Sequence, residues 1–369
     1  MLTWRLASIF AGSFMVCALL VLTQRWHGRH SLDHDLAGVQ KIHAKPVPRI
    51  GGIGLAFGLI IAVIAGYLTG GATYPTTLLL LACATPVFLT GLAEDLTKKV
   101  RVRTRLLASF VSAAIAIWVL DVRYTDLDTV VLDSLIQYPV LSVLFTVFAV
   151  GGVTHSINIV DGLNGLAAGA VSIMLAGLAT LAWLHGDMLV MKLCLWGIAA
   201  MGGFLLLNYP FGRIFLGDGG AYLAGFWLAQ CGVMLVERNP RISAWALMLV
   251  WIYPVWETVF SMYRRRVRDG VETGQADLGH MHQLLYRRLR GKAQTQARPG
   301  PEWRAHGLAS AVIWGITGAC QIFAVIANEK TLYSFSFVLI FIFVYCWFYQ
   351  LLSPDTTRQH PSPIQAANF

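Results

Sequence analysis

Charge is what this 369-residue chain has least of. Asp, Glu, Lys and Arg make up 13% of it, 56% is hydrophobic and the mean hydropathy is +0.62. Soluble domains carry about 25% charged residues, so a soluble globular enzyme is excluded. Paired cysteines are lacking too. The six (Cys17, Cys83, Cys194, Cys231, Cys320, Cys346) all fall in apolar stretches without paired spacing, which excludes a disulfide framework and a zinc ribbon and leaves them as small buried hydrophobes. The basic segments lack interleaved stacking aromatics, so nucleic acid is not an expected partner.

What is present is apolar length. Stretches near the roughly 20 residues that span a bilayer recur at 6–23, 51–70, 76–93, 106–120, 138–155, 166–184, 188–207, 220–236, 243–260, 307–327 and 331–352. The expected fold is therefore an all-α integral membrane protein of about eleven transmembrane helices. The first stretch follows Arg5 as a signal peptide would, but no small-residue cleavage site ends it, and it reads as an uncleaved span. Of the 28 Lys and Arg, all but Arg5, Arg123, Lys192, Arg238, Arg241 and Lys330 fall after odd-numbered stretches or in the tail. The basic side is cytoplasmic by the positive-inside rule, placing the N-terminus outside and the C-terminus inside. Residues 1–352 read as one transmembrane domain with cytoplasmic segments 24–50, 94–105, 156–166, 209–219 and 261–306, and 353–369 as a disordered cytoplasmic tail. The net charge of +9 reads as this topology plus attraction for anionic membrane lipids and phosphates.

Chemistry collects in those segments. Asn208–Tyr222 sets one Arg, one Asp and four Gly between two apolar runs. Asp218, flanked by Gly217, Gly219 and Gly220, can approach a ligand closely. Ala221 opens a helix whose N–H groups favour an anion. A carboxylate there can hold a divalent cation while the backbone meets a phosphate; the alternative is a Gly-rich turn with a solvated Asp. Pro46 and Pro48 stiffen the segment holding Lys45 and Arg49 near the membrane face, for phosphate or for lipid head groups. Glu94 and Asp95 lie at a helix C-terminus, where the dipole disfavours carboxylates unless a metal or Lys98, Lys99 and Arg101 compensate. Asn158, Asp161 and Asn164 recur every three residues and share one face if the stretch is helical; a helix cap and turn would account for part of this. Glu257 is the one carboxylate well inside an apolar run, followed by Arg264, Arg265 and Arg266. His280 and His282, two apart, suit a turn in which one meets substrate and the other supports the fold.

Five of these segments, in order, resemble the polyprenyl-phosphate N-acetylhexosamine-1-phosphate transferases of glycosyltransferase family 4. They are His43-Ala44-Lys45-Pro46-Val47-Pro48 with Gly51-Gly52, Glu94-Asp95, Asn158-Ile159-Val160-Asp161-Gly162-Leu163-Asn164-Gly165, Phe215-Leu216-Gly217-Asp218-Gly219-Gly220-Ala221, and His280-Met281-His282-Gln283. The chain departs from the family pattern at Glu94 and Asn164, each in place of Asp, and at Gln283, in place of His. The resemblance implies transfer of a sugar 1-phosphate from a UDP-N-acetylhexosamine to undecaprenyl phosphate, with UMP released, in a bacterial inner membrane. It implies Mg²⁺, or alternatively Mn²⁺, on Asp218. Catalytic candidates are Asp95, Asp161, Glu94, His280 and His282. Substrate-binding candidates are Lys45, His43, Asn158, Asn164, Asn208, Arg264 and Arg265. A homodimer is left open. The competing readings are a catalytically inactive member of the family, motivated by Glu94 and Asn164, and a membrane transporter, motivated by Glu257.

Overall fold

The computed structural model describes residues 2–32, 46–268, 270, 277, 279–294 and 302–353. The candidates His43 and Lys45, parts of the 261–306 segment and the 354–369 tail lie outside them. Among the described residues every element is helical. The helices are α1 (Leu2–Leu22), α2 (Gln24–Ser31), α3 (Gly52–Leu68), α4 (Tyr74–Thr97), α5 (Val102–Leu120), α6 (Val130–Ile136), α7 (Pro139–Val160), α8 (Leu166–Leu184), α9 (Met188–Asn208), α10 (Gly217–Arg238), α11 (Ala244–Val250), α12 (Ile252–Tyr263), α13 (Met281–Gln294), α14 (Glu302–Ile326) and α15 (Thr331–Leu352), with a π-helical turn over Arg264–Arg268.

Nine of these helices are long and apolar enough to cross a membrane, ten if α11 and α12 count as one span, and α3 is a shorter apolar helix of 17 residues. Each of the eleven apolar stretches thus becomes helical, but the ninth is not one straight span. It bends by 78° between α11 and the segment that begins at Ile252. Pro254 explains the break, since it donates no N–H and its ring collides with the carbonyl four residues back. That carbonyl, on Val250, accepts instead from Gln321 Nε2 of α14 at 2.9 Å.

The bundle is built around α10, in which every residue from Gly219 to Val236 is buried. Small residues let its neighbours close in, as in other membrane helix contacts. A Cβ built at Gly52 of α3 would stand 2.4 Å from the Gly220 nitrogen, and one at Gly91 of α4 would stand 2.7 Å from the Gly219 Cα. Backbone-to-backbone approach at these points fixes the N-terminus of α10 against α3 and α4. The six cysteines are free. Five are buried as expected, and Cys346 is only half-buried.

Candidate active site

The N-terminus of α10 is held from two sides. Gly217 has φ +74°, and a Cβ there would stand 2.0 Å from the Arg49 carbonyl oxygen, so only glycine fits the turn. Backbone bonds from Phe215 N–H to the Pro48 carbonyl (2.8 Å) and from Gly51 and Gly52 N–H to the carbonyls of Phe215 and Leu216 (2.9 Å each) stitch the Pro48–Gly52 segment to the turn. Asp95, 1% exposed, closes the other side. Its Oδ1 accepts from the Asp218 N–H at 2.8 Å and its Oδ2 from the Gly219 N–H at 2.9 Å. A carboxylate accepting two free N–H groups at a helix N-terminus also meets the positive end of the dipole. Asp95 thus sits where it positions α10.

Asp218 projects from this anchored turn and is half-buried. The Arg105 guanidinium pairs with its Oδ2, Asn158 Nδ2 donates to its Oδ1 at 3.2 Å, and Arg49 lies 3.7 Å from the same oxygen and 3.6 Å from Asp95. The His155 ring packs on Tyr222, with centroids 4.9 Å apart. Asp161 follows at the C-cap of α7, its N–H donating to the Asn158 carbonyl at 3.2 Å. It is partly open to solvent, yet burial, and then the nearby Asp218 charge, push its carboxyl up to about 7 against a partial offset from Arg49. Among the described residues no group of three His, Cys, Asp or Glu side chains forms a ready-made metal cluster. Asp218, with Asp161 near it, is the carboxylate that could hold Mg²⁺, an ion usually bound through one or two carboxylates with waters and substrate phosphates as its other ligands.

The histidine segment lies across from this turn. His282, 0% exposed, faces Gly162, where a Cβ would stand 2.6 Å from its Nε2. Neither of its ring nitrogens has a hydrogen-bond partner among the described residues. Burial, with the neighbouring His280 second, holds its imidazole well below the usual range. The His280 ring stacks on it at 5.5 Å with an interplanar angle of 8°. His280 Nδ1 meets Glu257 Oε1 at 3.0 Å, and its Nε2 lies 3.5 Å from Asp277. Arg264 also pairs with Asp277, and Arg265 is buried, so the first turn of the basic run is packed into protein. Glu257 is the centre of a hydrogen-bond cluster rather than a lone carboxylate in hydrocarbon.

The structure separates the triplet at 158, 161 and 164. Helix α7 ends at Val160, and Gly165, with φ +76°, opens α8, so the three-residue period does not continue and Asn164 leaves the face of Asn158 and Asp161. Asn164, 3% exposed, donates from Nδ2 to the Pro210 carbonyl at 2.9 Å, and its own carbonyl accepts from Ser310. It braces the loop after α9. Asn208 does the same from the other end, accepting from the Gly165 N–H and donating to the Ile214 carbonyl at 2.6 Å. Glu94 accepts from the Val100 N–H at 2.7 Å and fastens the end of α4. The sequence reading missed Arg105, counted there only as topology; the basic cluster after α4 was the available signal.

Comparison with known proteins adds the following. The family described as Glycosyl transferase family 4 matches residues 77–236, a stretch holding Glu94, Asp95, Arg105, Asn158, Asp161 and Asp218. A probable undecaprenyl-phosphate N-acetylglucosaminyl 1-phosphate transferase of Bacillus subtilis is 27% identical over 68% of this chain and 69% of its own. An undecaprenyl-phosphate alpha-N-acetylglucosaminyl 1-phosphate transferase of Salmonella typhi is 26% identical over 69% of both chains. A phospho-N-acetylmuramoyl-pentapeptide-transferase of Streptococcus thermophilus is 27% identical over 50% of this chain and 55% of its own.

Proposed function

We propose that this chain, whose residues 77–236 match the family described as Glycosyl transferase family 4, transfers an N-acetylhexosamine 1-phosphate from a UDP-linked donor to undecaprenyl phosphate, with release of UMP. The undecaprenyl-phosphate transferases named above support the general reaction. One observation carries the reading: the Asp218 carboxylate and the Arg49 and Arg105 guanidinium groups meet at the N-terminus of the most buried helix. That combination suits a diphosphate. The guanidinium groups match phosphate oxygens, the helix end favours an anion, and the carboxylate attracts a cation.

Phosphoryl transfer asks a protein mainly to position groups and neutralise charge. Mg²⁺ held by Asp218, with Asp161 adjacent, would supply charge neutralisation at the diphosphate. Arg49 and Arg105 exchange their ion pairs with Asp218 for the phosphate oxygens of the donor. Asn158 orients Asp218. Asp95 keeps the α10 turn in place without touching substrate. The acceptor is a phosphate monoester with a second pKa near 6 and is largely dianionic at neutral pH, so it needs little general-base help. His280 and His282 stand at the Asp161–Gly162 turn, where the neutral His282 ring can accept or donate one hydrogen bond to a bound substrate. The water-soluble donor and the lipid acceptor meet on the cytoplasmic face of a bacterial inner membrane, with the N-terminus outside and the C-terminus inside. The relatives' names make UDP-N-acetylglucosamine the first donor to test.

The test is UMP release by purified protein supplied with undecaprenyl phosphate in detergent, a panel of UDP-N-acetylhexosamines, and Mg²⁺ or Mn²⁺ varied separately. Release that depends on acceptor, donor and metal supports the reading. No release with any donor, from protein that is folded and carries Asp218, would rule it out.

A further inference from the structure

The last helix belongs to the bundle by sequence only as one more apolar span, yet one of its hydroxyls reaches the histidine segment and another reaches Glu257, which contacts that segment. Tyr345 OH donates to Glu257 Oε2 at 2.7 Å. Tyr349 OH donates to the Gly279 carbonyl at 3.0 Å. The two tyrosines are four apart on α15 and therefore share a face. Both are buried, at 5% and 3% exposure, and both pack edge-on against Phe260 of α12. The other oxygen of Glu257 takes His280 Nδ1 at 3.0 Å and the Met281 N–H at 3.2 Å. Glu257 itself sits on α12, just past the 78° bend. One carboxylate, 1% exposed, therefore joins three elements: the broken span, the segment of His280–Met281, and α15. A buried carboxylate is kept only where donors surround it, and among the described residues every donor comes from the histidine segment or from α15.

We propose that α15 is a positioning element of the active site: Tyr345, acting through Glu257, and Tyr349, acting on the Gly279 carbonyl, set the place of His280 and hence of His282 at the Asp161–Gly162 turn. The chain of contact is continuous. Tyr345 fixes the Glu257 carboxylate. Glu257 fixes which nitrogen of His280 points inward and holds the first turn of α13 by its N–H. His280 stacks on His282, and His282 lies against Gly162. Neither tyrosine touches substrate in this account. The inference rests on the transfer reaction proposed above for its kinetic consequences, but not for its structural ones.

Tyr345→Phe and Tyr349→Phe each remove one oxygen and keep the ring packing, and Tyr333→Phe, on the exposed outer side of the same helix, is the control. Two readouts are taken. Amide hydrogen exchange in detergent should quicken at residues 281–285 in both buried-tyrosine variants and stay unchanged elsewhere. Steady-state kinetics should show kcat lowered about tenfold, the equivalent of ~1.4 kcal/mol, with donor KM unchanged within about twofold because the diphosphate groups are untouched. In a Glu257→Gln background, Tyr345→Phe should lose most of its effect on kcat, since coupled residues are not additive. Wild-type exchange at 281–285 in both variants would overturn the inference, and so would exchange raised evenly along the chain, which marks a merely structural role. A wild-type protein inert toward every donor would refute the reaction instead, and the exchange measurement would still decide the role of α15.

Discussion

Replacing Asp95 with Asn separates a positioning carboxylate from a chemical one. Asp95 accepts two backbone N–H groups, from Asp218 and Gly219, at 2.8 and 2.9 Å, while 1% exposed. An amide of the same shape has one acceptor oxygen, so whichever way Asn is turned, one N–H faces an NH₂ donor. Losing a hydrogen bond to a charged group costs about 1.5–3 kcal/mol, and the surviving bond drops to the neutral scale of about 0.5–1.5 kcal/mol. Relief of repulsion between Asp95 and Asp218 offsets part of this, and the net loss expected is about 2–4 kcal/mol. It falls on the first turn of α10, so Asp218 loses its fixed place and turnover falls with stability. The assay is thermal unfolding of purified Asp95→Asn in detergent, followed by tryptophan fluorescence, beside UMP release. A clearly lowered melting temperature together with lost turnover is the expected result. A variant that melts like wild type while losing turnover would refute this reasoning and return Asp95 to the chemistry.

The ionisation of Asp161 gives a pH signature. Its carboxyl is raised from 3.8 to about 7 in the folded protein, so between those values the folded chain holds a proton the unfolded chain has lost, and the Asp161 contribution to stability falls as pH rises through that window. The ionised form attracts cation, so kcat/KM at limiting Mg²⁺ should rise toward pH 7 and level off above it. Added Mg²⁺ should move the midpoint down, and Asp161→Asn should abolish that limb; a flat profile in wild type would count against it. Asn164→Asp replaces the Nδ2 donor to the Pro210 carbonyl by a buried oxygen, so it should lower the melting temperature by more than it alters Mg²⁺ dependence, and an unchanged melting temperature would defeat that account. For topology, single cysteines at Thr97 and at Asp126 in a Cys-free background should be protected and labelled, respectively, by an impermeant thiol reagent in intact cells; the reverse pattern would invert the proposed orientation.

The positions of the apolar helices were legible because span length is a physical requirement of the bilayer, and each of the eleven stretches is helical. The close approach at Asp218 was legible in its flanking glycines, and the structure sets Arg49, Arg105 and Asn158 around its carboxylate. The Asn158–Asp161–Asn164 period misled because it assumes a helix that persists, and the turn carrying Gly162 and Gly165 ends it at Val160. Arg105 could not be paired with Asp218 by any local pattern, since 113 residues separate them. Tyr345 reads as ordinary apolar content within α15 and discloses its partner only when Glu257 arrives from another helix. The same holds for Gln321, whose amide takes the carbonyl that Pro254 releases. In hydrocarbon an unpaired polar group costs several kcal/mol. A polar side chain inside an apolar run therefore announces that a partner exists, and packing alone chooses which one. The residues least readable from this sequence, namely Arg105, Gln321 and Tyr345, are polar groups whose partners lie on other helices. Each is also a point where the bundle commits to a single arrangement.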